Sequence, residues 1–221
     1  MRVVGAERAI LFEPLPQVSG GWPCVLADPP WRFQSNSETR PGRNARRHYG
    51  CLALGQIASL PVKDVVARDA YLWFWIPGPF LVLGAHIPIM RAWGFEPTAM
   101  GFVWVKYRRA FDPNQLRFLP LAESDLHVGL GHTTRKNAEY CLLGQREQPK
   151  RLSGDVREVL LAPVREHSRK PDEVYERIEH FCAGPRLDLF AREQRPGWAA
   201  WGNELDKFQP PEPSAVPWAA E

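Results

Sequence analysis

The chain has 221 residues, of which 44% are hydrophobic and 24% are charged, so it can form one globular domain with a substantial core. Its 17 glycines and 22 prolines exclude a collagen-like or wholly disordered chain, and the lack of a long apolar run excludes an integral membrane protein. The formal net charge of +3 permits a polyanionic partner without requiring one.

The first ten residues lack the basic flank, apolar stretch and cleavage site of a secretory signal, which predicts a cytoplasmic protein. The four cysteines form no CxxC pair, so we expect reduced thiols and neither a zinc site nor a disulfide framework. His48 and His86 have no metal-ligand spacing with any cysteine, and we predict no metal.

The first predicted element is a buried strand over residues 24–28. It ends at Asp28, because the two prolines that follow can neither donate to a ladder nor continue a strand. Residues 32–50 lack apolar periodicity and predict an exposed loop. Five arginines lie in this loop against one acid, Glu38: they are Arg32, Arg40, Arg43, Arg46 and Arg47.

The rest of the chain alternates predicted strands with predicted helices. The strands are 71–76, 99–106, 138–143 and 186–191, and the helices are a short turn at 60–66, a helix over 79–93 kinked at Pro88, and a helix over 171–182. This order predicts an α/β fold with helices on both faces of a sheet. Because ligands collect at the carboxyl ends of such strands, Asp28, Lys106 and Arg192 are expected to converge on one crevice.

We predict one domain over residues 1–207 with basic loops at 32–50 and 107–137. A loop as long as the second is usually functional or disordered. Residues 208–221 are rich in proline and predict a tail.

The tetrapeptide Asp28-Pro29-Pro30-Trp31 suits methylation of an aromatic amine. The lone pair of adenine's exocyclic nitrogen is shared with the ring, so hydrogen-bond acceptors must draw it out of conjugation. Asp28 and the carbonyl of Pro29 can each accept one amine proton, because the prolines fix their geometry. Trp31, expected to be exposed, offers a face for base stacking worth ~1–3 kcal/mol.

The same residues also fit a purely structural role. Asp28 would then cap the segment after the strand, and Trp31 would cover the edge of the sheet. The tetrapeptide alone does not separate these alternatives.

A larger ordered set of motifs, covering residues 24 to 206, resembles the DPPW-type (MTA/METTL-like) family of S-adenosylmethionine-dependent adenine-N6 methyltransferases, in its compact prokaryotic or phage form. The motifs are ADPPW at 27–31, HYG at 48–50, YLWFWI at 71–76, WGFEP at 93–97, WVK at 104–106, GLGH at 129–132, EYCLLG at 139–144, HSRKPDEVYERIE at 167–179, LDLFAR at 187–192 and GWAAWGNE at 197–204. The resemblance implies a Rossmann-like methyltransferase fold with a mixed sheet, circularly permuted so that the catalytic motif precedes the cofactor motif.

The resemblance also implies S-adenosylmethionine as the cofactor. Asp28 and Lys170 would meet its methionine end, while Phe190 and Arg192 belong to the cofactor motif, in which Ala191 replaces the family's customary glycine. The other implied cofactor-binding residues are Gln194, Asn203 and Glu204. The family often has histidine at the position of Gln194 and glutamine at that of Glu204.

Four residues resemble those that surround the target adenine: Tyr49, Lys106, His132 and Glu139. Each has a structural alternative. Tyr49 could anchor a loop, His132 could belong to a turn, Lys106 could extend into solvent, and Glu139 could pair with Arg135.

Arg43, Arg46 and Arg47 lie between Trp31 and Tyr49, so a strand that enters the site would pass them, and we predict that they bind phosphates. The alternative is a solvated loop whose charges serve solubility.

The leading functional hypothesis is methyl transfer from S-adenosylmethionine to the N6 amine of adenine in a polynucleotide, with DNA favoured over RNA because the chain lacks the long extensions of the eukaryotic RNA writers. One alternative is RNA adenosine N6 methylation. Another is a catalytically silent nucleic-acid-binding partner of a second methyltransferase, which the intact DPPW motif disfavours. The sequence leaves the oligomeric state open, with a homodimer among the alternatives.

Overall fold

A computed structural model of the chain describes residues 13–32, 52–108, 122–129, 134–166 and 169–208. Seven strands and four α-helices form from these residues. The strands are β1 (Trp22–Ala27), β2 (Val66–Ile76), β3 (Glu96–Tyr107), β4 (Ala138–Arg146), β5 (Val159–Pro163), β6 (Arg186–Leu189) and β7 (Trp198–Trp201). The helices are α1 (Leu54–Ala58), α2 (Gly78–Val82), α3 (His86–Ala92) and α4 (Asp172–Phe181).

The strands form one seven-stranded sheet in the order β5-β3-β4-β2-β1-β6-β7. β4 runs antiparallel to both of its neighbours, and every other neighbouring pair is parallel. β6 comes late in the chain but pairs with β1, so it lies near the middle of the sheet. The predicted α/β fold with a mixed central sheet is confirmed, and the pairing of β6 with β1 fits the permuted order of the two motifs.

Two hydrophobic cores lie on opposite faces of the sheet, because alternate side chains of each strand point to opposite sides. One core contains Val25 and Phe74 and is covered by α1 and α3. The other contains Leu26 and Trp75 and is covered by α4, which packs through Val174 and Ile178. The predicted helices on both faces are therefore present.

The predicted single helix over 79–93 is wrong. It is divided into α2 and α3 by a break at Gly84, whose φ of +68° is in the left-handed region that favours glycine. Pro88, the expected kink, lies in the first turn of α3, where a missing backbone N–H removes no helical hydrogen bond.

The strands β5 and β7 and the helix α1 were not predicted from the sequence. Each spans only four or five residues. β5 is an edge strand with Val159 and Leu161 exposed, and it is held by parallel pairing with β3. Such short segments carry too few residues for a periodic signal, so tertiary pairing decides their conformation.

The region of the chain that the structure describes contains no helix long and apolar enough to cross a membrane. Several predicted site residues lie outside the described residues: Tyr49, His132, Arg43, Arg46 and Arg47. Most of the two predicted basic loops and nearly all of the predicted tail also lie outside them.

Candidate active site

A cleft of about 490 Å³ opens at the carboxyl ends of β1, β2 and β3. Asp28 follows β1 directly, and its backbone N–H donates to the carbonyl of Leu189 at the end of β6 over 3.3 Å. Asp28, Lys106 and Arg192 all line the cleft, as predicted from their positions at the ends of strands. The fold therefore brings together three residues that are far apart in sequence.

Two lysines and two carboxylates alternate along the floor of this cleft. The Nζ atom of Lys170 lies 2.6 Å from Oδ2 of Asp28 and 3.3 Å from Oε2 of Glu139. Oε1 of Glu139 in turn accepts a hydrogen bond from Lys106. The predicted alternative in which Glu139 pairs with Arg135 is not the arrangement found.

The pKa values of Lys170 and Glu139 favour the charged forms of these two groups. Burial alone would lower the pKa of Lys170, but the carboxylates of Asp28 and Glu139 more than offset this and hold it above its usual range. Burial likewise raises the pKa of Glu139, yet Lys170 and Lys106 bring it down to about 2. Both groups are therefore ionised at neutral pH.

A set of ion pairs holds the segment that carries Lys170 against the loop that follows β6. Asp172, in the first turn of α4, contacts both Arg165 and Arg195. Glu193 contacts Arg195 as well as Arg169, the latter over 3.1 Å. Because these pairs join residues 165–172 to residues 193–195, they fix the position of Lys170 relative to the loop that follows β6.

The expectation that Trp31 is exposed is wrong. The side chain is 4% exposed, its ring stacks on Phe80 at 5.0 Å, and its indole N–H donates to the carbonyl of Trp75 over 3.2 Å. Trp31 still contributes to the wall of the cleft. Its packing supports the turn at Pro29 and Pro30, whereas its contact with a base is not tested by the structure.

The turn itself is closed by backbone hydrogen bonds. The carbonyl of Pro29 accepts the N–H of Trp31 over 2.9 Å, and the carbonyl of Pro30 accepts the N–H of Leu52 over 2.8 Å. A carbonyl oxygen has two lone pairs, so that of Pro29 can accept a second proton from a ligand.

A second, smaller cavity adjoins the cleft on the side of β6. Its walls include Asp28, Lys170, Phe190, Ala191 and Arg192. Phe190, with φ at +64°, is the residue that adopts the left-handed conformation. Alanine at the next position therefore introduces no such strain, so the backbone accommodates a residue other than glycine in the predicted cofactor motif.

The other predicted cofactor residues differ in their surroundings. Glu204 lies 3.6 Å from Arg192 and also pairs with Lys207. Gln194 and Asn203 are exposed and line neither of the two cavities. Their cofactor-binding roles remain predictions.

A model of the family described as MT-A70 matches residues 22–204. This chain belongs to the MT-A70 family. The match begins at β1 and ends after β7, so it includes the whole sheet and the cleft. The family resemblance and the Rossmann-like methyltransferase fold expected from the motifs are thereby confirmed.

The chain is similar to several curated methyltransferases. It is 29% identical over 204 residues to "N(6)-adenosine-methyltransferase catalytic subunit METTL3" of Homo sapiens, covering 90% of this chain and 31% of that protein. It is 28% identical over 214 residues to "Type II methyltransferase M.MunI" of Mycoplasma sp, covering 88% of this chain and 82% of that protein. The chain thus spans about a third of the length of METTL3 and most of that of M.MunI.

Three features of the site were missed by sequence reasoning. Asp188 is buried inside β6, and its carboxylate accepts a hydrogen bond from Tyr175 over 2.9 Å. Burial raises the pKa of Asp188 to about 7, against the opposing effect of that hydrogen bond and with a further increase from Asp28. The acidic residue within the apolar sequence of β6 could have indicated from the sequence that Asp188 is a buried acid.

The arginine ion pairs and His127, which also lines the cleft, had no comparable signal in the sequence.

The side chains around Asp28 fit the amino-acid end of S-adenosylmethionine, which carries one carboxylate and one ammonium group. The cations of Lys170 and Arg192 lie beside the smaller cavity, together with the carboxylates of Asp28 and Asp188. Opposite charges are thus available for both groups of the ligand. No cluster of metal-ligating side chains occurs in the parts of the chain that the structure describes.

Proposed function

We propose that the chain transfers a methyl group from S-adenosylmethionine to the exocyclic N6 amine of adenine in DNA. The observation that carries the proposal is the position of Asp28 at the end of β1, between the cleft and the smaller cavity, with its carboxylate held by Lys170 at 2.6 Å. Asp28 borders both spaces, so a cofactor whose amino-acid end enters the smaller one, of about 30 Å³, and a base in the larger cleft would meet at its side chain.

The acceptor amine would be held by two oxygen atoms. One is a carboxylate oxygen of Asp28, which can accept several hydrogen bonds and so serve the amine while it contacts Lys170. The other is the carbonyl oxygen of Pro29, through its second lone pair. Two acceptors on one amine orient its nitrogen and favour a pyramidal geometry, in which the lone pair is available for attack.

The bound cofactor supplies a methyl group already activated by its sulfonium centre. The work of the protein is therefore orientation and exclusion of water. Lys170 holds the carboxylate of Asp28 in place, and Arg192 and Phe190 border the smaller cavity where we place the methionine portion. Asp28 need not act as a strong base, because methyl transfer makes the nitrogen acidic and its proton can then leave to solvent.

DNA is favoured as the substrate because the similarity to M.MunI extends over 82% of that type II methyltransferase, whereas the similarity to METTL3 covers 31% of that protein. RNA is the competing acceptor, since METTL3 is named an N(6)-adenosine-methyltransferase.

The test is incubation with labelled S-adenosylmethionine and four acceptors: duplex DNA, single-stranded DNA, RNA and free adenosine. Label recovered as N6-methyladenine in either DNA supports the proposal, with the Asp28→Ala variant as the inactive control. Label in RNA alone would refute DNA as the substrate. No heat with S-adenosylmethionine in calorimetry, together with no transfer to any acceptor, would favour a catalytically silent nucleic-acid-binding partner instead.

A further inference from the structure

His127 lies on the wall of the larger cleft, next to Lys106. Its backbone N–H donates to the carbonyl of Lys106 over 2.9 Å, and the neighbouring residues Tyr107 and Leu126 form an antiparallel bridge. Residues directly opposite each other in an antiparallel pair point to the same face. The side chain of His127 is therefore on the same face of the sheet as that of Lys106.

The same register places Glu139 on this face, because Glu139 pairs with Trp104, two residues before Lys106 in β3. Lys106, Glu139 and His127 all line the larger cleft together with Asp28 and Pro29. His127 is absent from the walls of the smaller cavity, which the cofactor motif borders. It faces the space that the acceptor base would occupy.

The hydrogen-bonding capacity of His127 is available to a ligand. Within the described residues, neither of its ring nitrogens has a hydrogen-bond partner. Burial, and then the charge of Lys106, lower the pKa of His127, which favours the neutral ring near pH 7. A neutral imidazole has one donor and one acceptor nitrogen. The ring nitrogens N1 and N7 of adenine are acceptors that can receive such a hydrogen bond.

We propose that His127 donates a hydrogen bond to a ring nitrogen of the methyl-accepting adenine and so contributes to selection of that base. The inference rests on the proposed function, because it requires adenine in the cleft. Lys106 donates a hydrogen bond to Glu139, and Asp28 forms an ion pair with Lys170. These four side chains therefore already have partners within the protein. His127 supplies an additional hydrogen bond to the adenine ring, whereas Asp28 and Pro29 contact the amine.

The experiment combines a protein variant with a substrate analogue. DNA oligonucleotides carry adenine, 7-deazaadenine or 1-deazaadenine at the methylated position, and kcat/KM is measured for the unsubstituted protein and for His127→Ala. One neutral hydrogen bond corresponds to a loss of about threefold to tenfold. We expect His127→Ala to reduce kcat/KM by this factor when the target base is adenine. On the analogue that lacks the contacted nitrogen, the variant and the unsubstituted protein should have the same kcat/KM.

If His127→Ala lowers kcat/KM by the same factor on adenine and on both analogues, the inference is overturned. The imidazole would then contact neither N1 nor N7. A reduced salt dependence of DNA binding in His127→Ala, without base coupling, would assign the residue to a phosphate and would also overturn it.

Controls separate a contact from a structural effect. His180→Ala, on the exposed side of α4, should match the unsubstituted protein with every substrate. S-adenosylhomocysteine binding should be unchanged in His127→Ala, and His127→Gln, whose amide can still donate, should recover part of the loss. If His127→Ala does not fold, His127→Leu, whose side chain cannot donate a hydrogen bond, takes its place in the same comparison and is judged by the same two outcomes.

The two hypotheses fail in different ways. An unsubstituted protein that methylates none of the adenine-containing acceptors refutes the proposed function and this inference with it. An active protein in which the His127 losses multiply with both analogues refutes this inference alone.

Discussion

Replacement of Lys170 by methionine tests the charge network at the centre of the site. Methionine keeps most of the length of the side chain and removes the ammonium group. The carboxylates of Asp28 and Glu139, at 2.6 and 3.3 Å from that group, then lose their shared cation. Asp28 then loses the cation beside it, whereas Glu139 keeps its contact with Lys106.

The expected loss of stability follows from burial. Removal of one partner from a buried ion pair costs about 3–5 kcal/mol. The Lys170 side chain is 8% exposed, but those of Asp28 and Glu139 are 23% and 33% exposed, so solvent screens part of the penalty. We therefore expect the free energy of unfolding to fall by about 2–3 kcal/mol, which for a domain of this size lowers Tm by roughly 4–12 °C.

Urea unfolding at pH 7 measures this loss, with Lys63→Met, at an exposed position, as the matched control. Adding Asp28→Asn to Lys170→Met removes the carboxylate that has lost its cation and should recover part of the stability. A Lys170→Met protein within about 0.5 kcal/mol of the parent, the range of ordinary surface changes, would refute the role of Lys170 in holding the two carboxylates.

The same variant tests the cofactor assignment by calorimetry. Loss of a charged hydrogen bond to the ligand carboxylate costs about 1.5–3 kcal/mol, which raises the Kd for S-adenosylmethionine by about 10- to 150-fold. A Kd within about twofold of the parent value would remove Lys170 from the cofactor site, whatever its effect on stability.

Asp28→Ala should abolish methyl transfer while circular dichroism shows an unchanged fold, and activity within a few-fold of the parent would exclude Asp28 from the reaction. Trp31→Ala should destabilise the protein by about 3–5 kcal/mol in urea unfolding, as expected for a buried aromatic residue, whereas a stability near that of the parent would contradict the packing described here. Joint neutralisation of Arg43, Arg46 and Arg47 should weaken DNA binding at low salt and flatten its salt dependence by about 0.7–0.9 per lost phosphate contact, with cofactor affinity unchanged. An unchanged slope would favour the solvated loop.

The sequence alone determined the elements whose signal is local. The prolines after Asp28 end β1 because they cannot continue a strand, and the apolar runs within β2 and β3 predict buried strands. Val174 and Ile178 recur on one face of α4, which predicts a helix packed on a core. The ordered motifs also identified the family correctly, because their order along residues 24–206 is specific.

Local signals misjudged the environment of single residues. Trp31 stands beside prolines and a polar residue, which suggested exposure, yet Phe80 and Trp75 from distant segments cover it. The helix over 79–93 is interrupted at Gly84 and not at Pro88, because a proline is tolerated in the first turn of a helix.

Only the tertiary structure decided the charge network of the site. Lys170 and Asp28 are 142 residues apart, and no local pattern predicts that a lysine will lie between two particular carboxylates. The pairing of β6 with β1 and the packing of α4 on the sheet bring them together. The pKa of Lys170 depends on its burial and on the carboxylates beside it, so the electrostatics of the site are a property of the fold, whereas the identities of its residues were already present in the sequence.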